Sequence, residues 1–399
     1  MTTRSYDALV QTVPEQRAQQ SLDVVVHFAD DPTRVYQLTQ WLPVVEQLAG
    51  AHAVGIVTRN AATAEIVRGR THLPVLDVPE FPALVELYDR VDPKVALYCN
   101  NSMLNFQSLI RGRMLHVHIN HGESDKQSMV SNNAKAYDRV FVAGDAAVER
   151  HAALLEFDGS KLVRIGRPQL DLRPEPVLEP SERRTVLYAP TWEGDAEYND
   201  YTSVDVFGRE IVEALLAVPG VRLVYKPHPK VSTSTTPAIR DAHRWILDRV
   251  ARARADDPAG GHVAISEGDI LAVFAGCDAM VTDVSSVGLD WLYLQTDKPM
   301  LITDRHHDPE RLRADAPVSR CADVVDATTL PGLTELVAAR LERDEYLLAC
   351  TAMRQHYFGD LGVGESTTRF LGAVDELVAL RDRLLGEDGP GGESDAVTA

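Results

Sequence analysis

Residues 279–300 read Ala-Met-Val-Thr-Asp-Val-Ser-Ser-Val-Gly-Leu-Asp-Trp-Leu-Tyr-Leu-Gln-Thr-Asp-Lys-Pro-Met. A short apolar run, Ala279 to Val281, breaks at Thr282-Asp283 into the paired serines Ser285 and Ser286. Apolar positions then resume at Val287, Leu289, Trp291, Leu292 and Leu294 with helical spacing. The pattern predicts a strand, a tight polar turn and a helix start. The first-turn amides of such a helix have no internal partners, and its dipole is positive at that end. Two serine hydroxyls beside those amides suit the turn to an anion, a phosphate above all. The plainer alternative is that the serines only cap a helix.

The same alternation runs outward in both directions, and it predicts an α/β protein built on parallel sheets. In the first half, strands are expected at 24–28, 54–57, 95–98, 115–119, 140–142 and 162–165, with helices around 35–48, 84–91 and 146–155. Pro174, Pro176 and Pro180 then mark a linker, because prolines this dense continue neither a helix nor a central strand. The alternation restarts with strands at 185–189, 223–225, 263–265, 280–282 and 300–302, and 333–385 is helical in pattern. The expected division is an N-terminal extension at 1–20, a first α/β domain at 21–172, a linker at 173–184, a second α/β domain at 185–355, C-terminal helices at 356–385 and a disordered acidic tail at 386–399. In open α/β sheets ligands bind beyond the carboxyl ends of the strands, so the cleft between the two units is the expected site.

Composition narrows the partners. The 399 residues hold 40 Lys and Arg against 59 Asp and Glu, a formal charge of −19. Bulk nucleic acid repels such a chain unless basic groups cluster, and no run of Lys or Arg exists. No nucleic acid is expected as a partner. There is no signal-peptide pattern, and no apolar run approaches the ~18 residues of a membrane span. The four cysteines, Cys99, Cys277, Cys321 and Cys350, are scattered without CxxC spacing, which suggests reduced thiols and a cytoplasmic location.

Four polar segments each follow an expected strand. The first is Ile119-Asn120-His121-Gly122-Glu123-Ser124-Asp125-Lys126. His121, at a strand end, can take a proton from an attacking hydroxyl, and Gly122 permits close backbone approach to a ligand. The second, Tyr188-Ala189-Pro190-Thr191-Trp192-Glu193-Gly194-Asp195, offers the Thr191 hydroxyl and the flat face of Trp192. In the third, Lys226-Pro227-His228-Pro229-Lys230, two prolines hold His228 extended and rigid, which suits a ring placed in advance against a phosphate. The serine turn is the fourth. The structural alternatives are a loop histidine bonded to a carbonyl, a packing tryptophan, a surface proline loop and a simple helix cap.

Taken in order, these segments resemble the CDP-glycerol glycerophosphotransferase family, whose members prime and polymerise the glycerol-phosphate backbone of teichoic acids. The resemblance rests on His121-Gly122, Tyr188-Ala189-Pro190-Thr191-Trp192, His228-Pro229, Thr282-Asp283-Val284-Ser285-Ser286 and Lys298-Pro299, and it extends over most of the chain. It implies a GT-B fold: two Rossmann-like domains with the acceptor on the first and a CDP-linked donor on the second. It further implies His121 as general base and His228 as the histidine at the pyrophosphate. Thr191, Asp283, Ser285, Ser286 and Ser366 are implied as donor-side residues, with Gly122 and Lys126 on the acceptor side. The implied acceptor is lipid-linked or a glycan, which places the enzyme at the inner face of the cell membrane.

The chain departs from the family pattern at several positions. Asn120 stands where a tryptophan is usual, Glu123-Ser124-Asp125-Lys126 replaces a Thr-Pro-Leu-Lys type, Glu193 stands for Arg, and Val284 for an aromatic residue. No metal or cofactor is expected, since neither HxxxH nor HExxH spacing occurs and adjacent side chains in His306-His307-Asp308 diverge. The rival expectations are a GT-B glycosyltransferase using a nucleotide sugar, and a non-catalytic binding protein on the same fold.

Overall fold

The computed structural model describes residues 21–126, 129–154 and 156–386. The expected extension at 1–20 and all of the expected acidic tail except Gly386 lie outside the described residues. Among those described, thirteen strands form two sheets. The first runs β3 (Val75–Asp77), β2 (Val54–Thr58), β1 (Val24–Phe28), β4 (Val95–Tyr98), β5 (Leu115–His118), β6 (Arg139–Val142), β7 (Leu162–Arg164). The second runs β10 (Val263–Ala264), β9 (Val221–Tyr225), β8 (Arg184–Ala189), β11 (Ala279–Thr282), β12 (Met300–Thr303), β13 (Asp323–Val325). Every pairing is parallel.

Parallel sheets are covered on both faces, which explains why their strands read as unbroken apolar runs. Val24, Val25, Val26, His27 and Phe28 are all fully buried. His27 is accommodated because the Tyr88 hydroxyl lies 3.2 Å from its Nδ1, while burial holds its pKa down to about 3. Strand order reverses between β1 and β4 in the first sheet and between β8 and β11 in the second. Loops leaving the strands at such a reversal diverge and open a crevice. Two of the four polar segments, after β8 and after β11, flank the second reversal.

One expected helix needed correction, two strands were missed, and the expected helical stretch divides into three helices. The single helix expected over 35–48 is broken into Tyr36–Thr39 and Leu42–Leu48, because Pro43 has no amide to continue the preceding turn. The edge strands β3 and β13 were not anticipated; at three residues each they are too short to show a period. The helical stretch 333–385 is three helices, Leu333–Glu342, Leu347–Phe358 and Glu365–Leu385.

The last of these helices returns to the first domain. Phe370, Val374, Leu377 and Val378 join the apolar cluster that holds Val24, Leu97 and Ile119, and Lys94 Nζ lies 2.7 Å from Asp382. At its start, Ser366 Oγ accepts a hydrogen bond of 3.1 Å from Arg167 N. Gly166 is required there. Its φ is +72°, and a β-carbon would fall 2.2 Å from Ser366 Oγ. No helix among the described residues is long and apolar enough to cross a membrane.

Candidate active site at the seam between the domains

On the second-domain side the site is built around Asp283, which is fully buried at the end of β11. Its Oδ2 accepts from Thr191 N (2.7 Å) and Ser203 N (3.2 Å), and its Oδ1 accepts from Thr303 Oγ1 (2.6 Å). Burial pushes its carboxyl up to about 6 despite these donors. Asp283 therefore ties three strand-end loops together rather than facing a ligand. Thr191 is one of the tied residues; its carbonyl accepts from Thr202 Oγ1 at 2.7 Å.

The Ser286–Leu294 helix begins two residues beyond Val284, with Ser285 as its extended N-cap residue. The Ser285 side chain does not cap it. Its Oγ is buried and has no hydrogen-bond partner among the described residues, although the residue is only 9% exposed. A buried hydroxyl without a partner, beside unpaired first-turn amides, is an unfilled acceptor–donor set.

His228 is held by the neighbouring loop. Its N donates to Pro190 O (2.9 Å), and its Nδ1 accepts from Lys230 N (3.2 Å). With Nδ1 acting as acceptor, the neutral ring carries its proton on Nε2 and can donate there. Burial, and then Lys126, Lys230 and Lys226, hold its pKa down to about 3. Trp192 stacks on the imidazole at 6.0 Å with 29° between planes, and Lys230 Nζ lies 3.6 Å from the indole centre. The indole is thus engaged within the second domain, holding the His228 loop.

From the first domain, the loop after β5 crosses to the second. Asn120 adopts φ +52°, a conformation asparagine tolerates and tryptophan does not readily adopt, and its Oδ1 accepts from His121 N at 2.8 Å. The Asn120 carbonyl accepts from Trp41 Nε1 at 2.5 Å. His121 is half-buried, its Nδ1 is buried without a hydrogen-bond partner among the described residues, and Tyr36 meets its ring edge-on at 6.0 Å. Burial and the Arg167 guanidinium hold its pKa down to about 4. Lys126 Nζ reaches across to Thr191 Oγ1 at 3.4 Å, with its ammonium disfavoured by burial and supported by Asp283, Asp200 and Asp195.

Glu123 and Asp125 are buried and both pair with Arg150. The Tyr357 hydroxyl donates to Asp125 Oδ2 at 2.5 Å and accepts from Val318 N at 3.1 Å. Burial pushes Asp125 up to about 7. The acidic departure from the family pattern is therefore a tether that fixes the His121 loop against the C-terminal helix and second domain.

The structure brings His121, Gly122 and Lys126 to the same seam as Thr191, His228, Ser285 and Ser286. A β-carbon on Gly122 would lie 3.8 Å from Ser286 Cβ and 3.5 Å from Arg167 Nη1. Ser366 stands apart: it is fully buried, with its hydroxyl on Arg167 N. Arg167 and Asp290, only 3.3 Å apart between Nη2 and Oδ1, were not anticipated at the site. The signal existed, since Ile165-Gly166-Arg167 follows β7 just as the other four segments follow their strands, but the prolines beyond it read as a linker. His306, His307 and Asp308 diverge: His306 Nε2 lies 3.0 Å from Asp200 O, His307 packs edge-on against Phe207, and Asp308 caps the next helix. No cluster of three or more His, Cys, Asp or Glu able to hold a metal occurs among the described residues.

Comparisons with known proteins agree with this geometry. Residues 113–309 match the family described as CDP-Glycerol:Poly(glycerophosphate) glycerophosphotransferase, so the resemblance read from the motifs is shown over that segment. No curated protein matches the chain. Among solved structures, a putative UDP-N-acetylglucosamine 2-epimerase from Listeria monocytogenes superposes with a TM-score of 0.60 at 15% identity, covering 95% of this chain and 100% of that one. The wall teichoic acid polymerase TagF gives 0.56 at 13% identity, covering 90% of each chain. A glycosyltransferase from Rickettsia africae gives 0.55 at 10% identity, covering 90% of this chain and 99% of that one. At these identities the likeness establishes the fold, which is GT-B.

Proposed function

We propose, from the premise that residues 113–309 carry the glycerophosphotransferase family match, that this chain transfers a polyol phosphate, glycerol phosphate first, from a CDP-linked donor to an acceptor hydroxyl. The observation that carries this reading is the concentration of positive groups at one seam of a chain with net charge −19. Lys126, Lys226 and Lys230 surround His228, Arg167 stands beside His121, and the amino end of the Ser286–Leu294 helix lies between the domains. Such a site suits a diphosphate. A TagF variant soaked with CDPG adds support for a CDP-glycerol donor.

In the proposed reaction the acceptor oxygen attacks the phosphorus that bears the polyol. The new O–P bond forms as the bridging P–O bond to CMP breaks, and the acceptor proton passes to His121. Neutral His121 is already in its basic form. A diphosphate beside Arg167 offsets the cationic repulsion and raises the affinity of the imidazole for that proton. His228 donates from Nε2 to the leaving phosphate, and the lysines and helix amides take up charge as CMP departs. Asp283 and Ser366 are positioning residues, the first for the Thr191 loop and the second for Arg167.

The acceptor is proposed to be a lipid-linked or glycan hydroxyl of a cell-envelope polymer, with the enzyme working at the inner membrane face. Incubation with CDP-glycerol and such acceptors should release CMP in step with acceptor phosphorylation. Absence of CMP with every acceptor, together with turnover of a UDP- or GDP-sugar, would transfer the assignment to a glycosyltransferase.

A further inference from the structure

The Arg167 side chain is just 8% exposed, yet it is only partly used. Its Nη2 lies 3.3 Å from Asp290 Oδ1, while Nε and Nη1 have no hydrogen-bond partner among the described residues. A buried guanidinium with two idle N–H groups is costly unless something occupies them. Gly122 locates Nη1 near the helix start: one point, the place of a Gly122 β-carbon, lies 3.5 Å from Nη1 and 3.8 Å from Ser286 Cβ. Ser286 and Asp290 are four residues apart on one helix and share a face. The guanidinium therefore sits between the first-domain loop and the helix face that starts at the anion-suited turn. Ser285 Oγ, buried and without a partner among the described residues, is the second unfilled group at that turn.

We infer that Arg167 is a further binding residue for the diphosphate, reaching from the first domain to an anion seated at the amino end of the Ser286–Leu294 helix, with Asp290 holding the guanidinium in place. The anion site is then shared between the domains. It is complete only when the Arg167 segment, fixed through Ser366, is docked against the second domain. Gly122 keeps the space between Arg167 and Ser286 open. This assignment rests on the donor reading for the identity of the anion, and on Arg167 and Ser285 for its place.

Calorimetric titration of the full chain with inorganic pyrophosphate, and separately with CDP-glycerol, tests the assignment. Wild type should bind pyrophosphate, and Arg167→Gln should weaken it by about 10- to 100-fold, the range for a lost charge-assisted contact. Arg167→Lys, which keeps a cation against Asp290 and hence the fold, should fall between the two. Folding of each variant is checked by its circular dichroism melt. Pyrophosphate binding within twofold of wild type in Arg167→Gln, or in Arg167→Lys if only that variant folds, would overturn the inference. So would a wild-type protein that ignores pyrophosphate. Arg167-dependent binding of pyrophosphate without any binding of CDP-glycerol would uphold Arg167 and refute the donor instead.

Discussion

His121 and His228 are both half-buried imidazoles held neutral, but their surroundings differ. His228 faces three lysines; its N donates to Pro190 O on the neighbouring loop and its Nδ1 accepts from Lys230 N on its own. His121 faces one guanidinium, and its Nδ1 has no hydrogen-bond partner among the described residues. The first ring is committed: its tautomer is set, and it can only donate toward an anion. The second has a backbone hydrogen bond at Cys99 and keeps Nδ1 without a partner among the described residues, which leaves one ring nitrogen to accept and release a proton. The difference assigns distinct roles to two residues of one type, and each role can be challenged separately.

The largest effects should come from deleting the rings. His121→Ala is expected to lower kcat by roughly 10²- to 10⁴-fold with little change in the donor KM, because the ring acts on the acceptor proton. His228→Ala should lower kcat by a similar factor of roughly 10² or more and also raise the donor KM. Steady-state kinetics with CDP-glycerol would separate them; equal donor KM effects would erase the distinction. Next in size, Ser285→Ala removes one idle hydroxyl and should weaken CDP-glycerol binding about 10-fold, measured by calorimetry, while the melting temperature barely changes.

The second-domain half of this comparison was the more legible in the sequence. Thr191, His228, Ser285 and Ser286 all follow strands at or beside a sheet reversal, where short β-branched runs and turn residues mark the positions directly. The first-domain half was harder. His121 and Lys126 were visible, but the role of Glu123 and Asp125 as a tether depends on Arg150 and Tyr357, 25 or more residues distant. Arg167 and Asp290 were missed because their pairing spans the two domains, and no local period reports a contact across 123 residues. The split of the 35–48 helix was readable from Pro43, whereas the return of the Glu365–Leu385 helix to the first domain was not, since its apolar face fits either sheet.

A subtler test uses pH. In the free protein His121 sits at about 4, so the fraction in basic form rises through that value as pH increases. The acid limb of kcat/KM should therefore lie near pH 4, well below the unperturbed imidazole. The limb of kcat should lie higher, since bound diphosphate offsets Arg167. A kcat limb below that of kcat/KM would contradict the neighbour assigned to this ring. The smallest effect is expected from Gly122→Ala. Its new β-carbon meets Arg167 and Ser286 at ordinary contact distances, so the thermal melt should be within a degree or two of wild type. Donor affinity should fall only a few-fold, and an unchanged affinity would move the anion away from that gap.

The most direct test of the account is a crystal structure of the full chain soaked with CDP-glycerol in the His121→Ala background, where turnover is slow enough to retain the donor. The account predicts the diphosphate at the amino end of the Ser286–Leu294 helix, within hydrogen-bonding reach of Ser285 and His228 and facing Arg167. Density for the donor elsewhere on the molecule, with that helix end occupied by solvent alone, would contradict it.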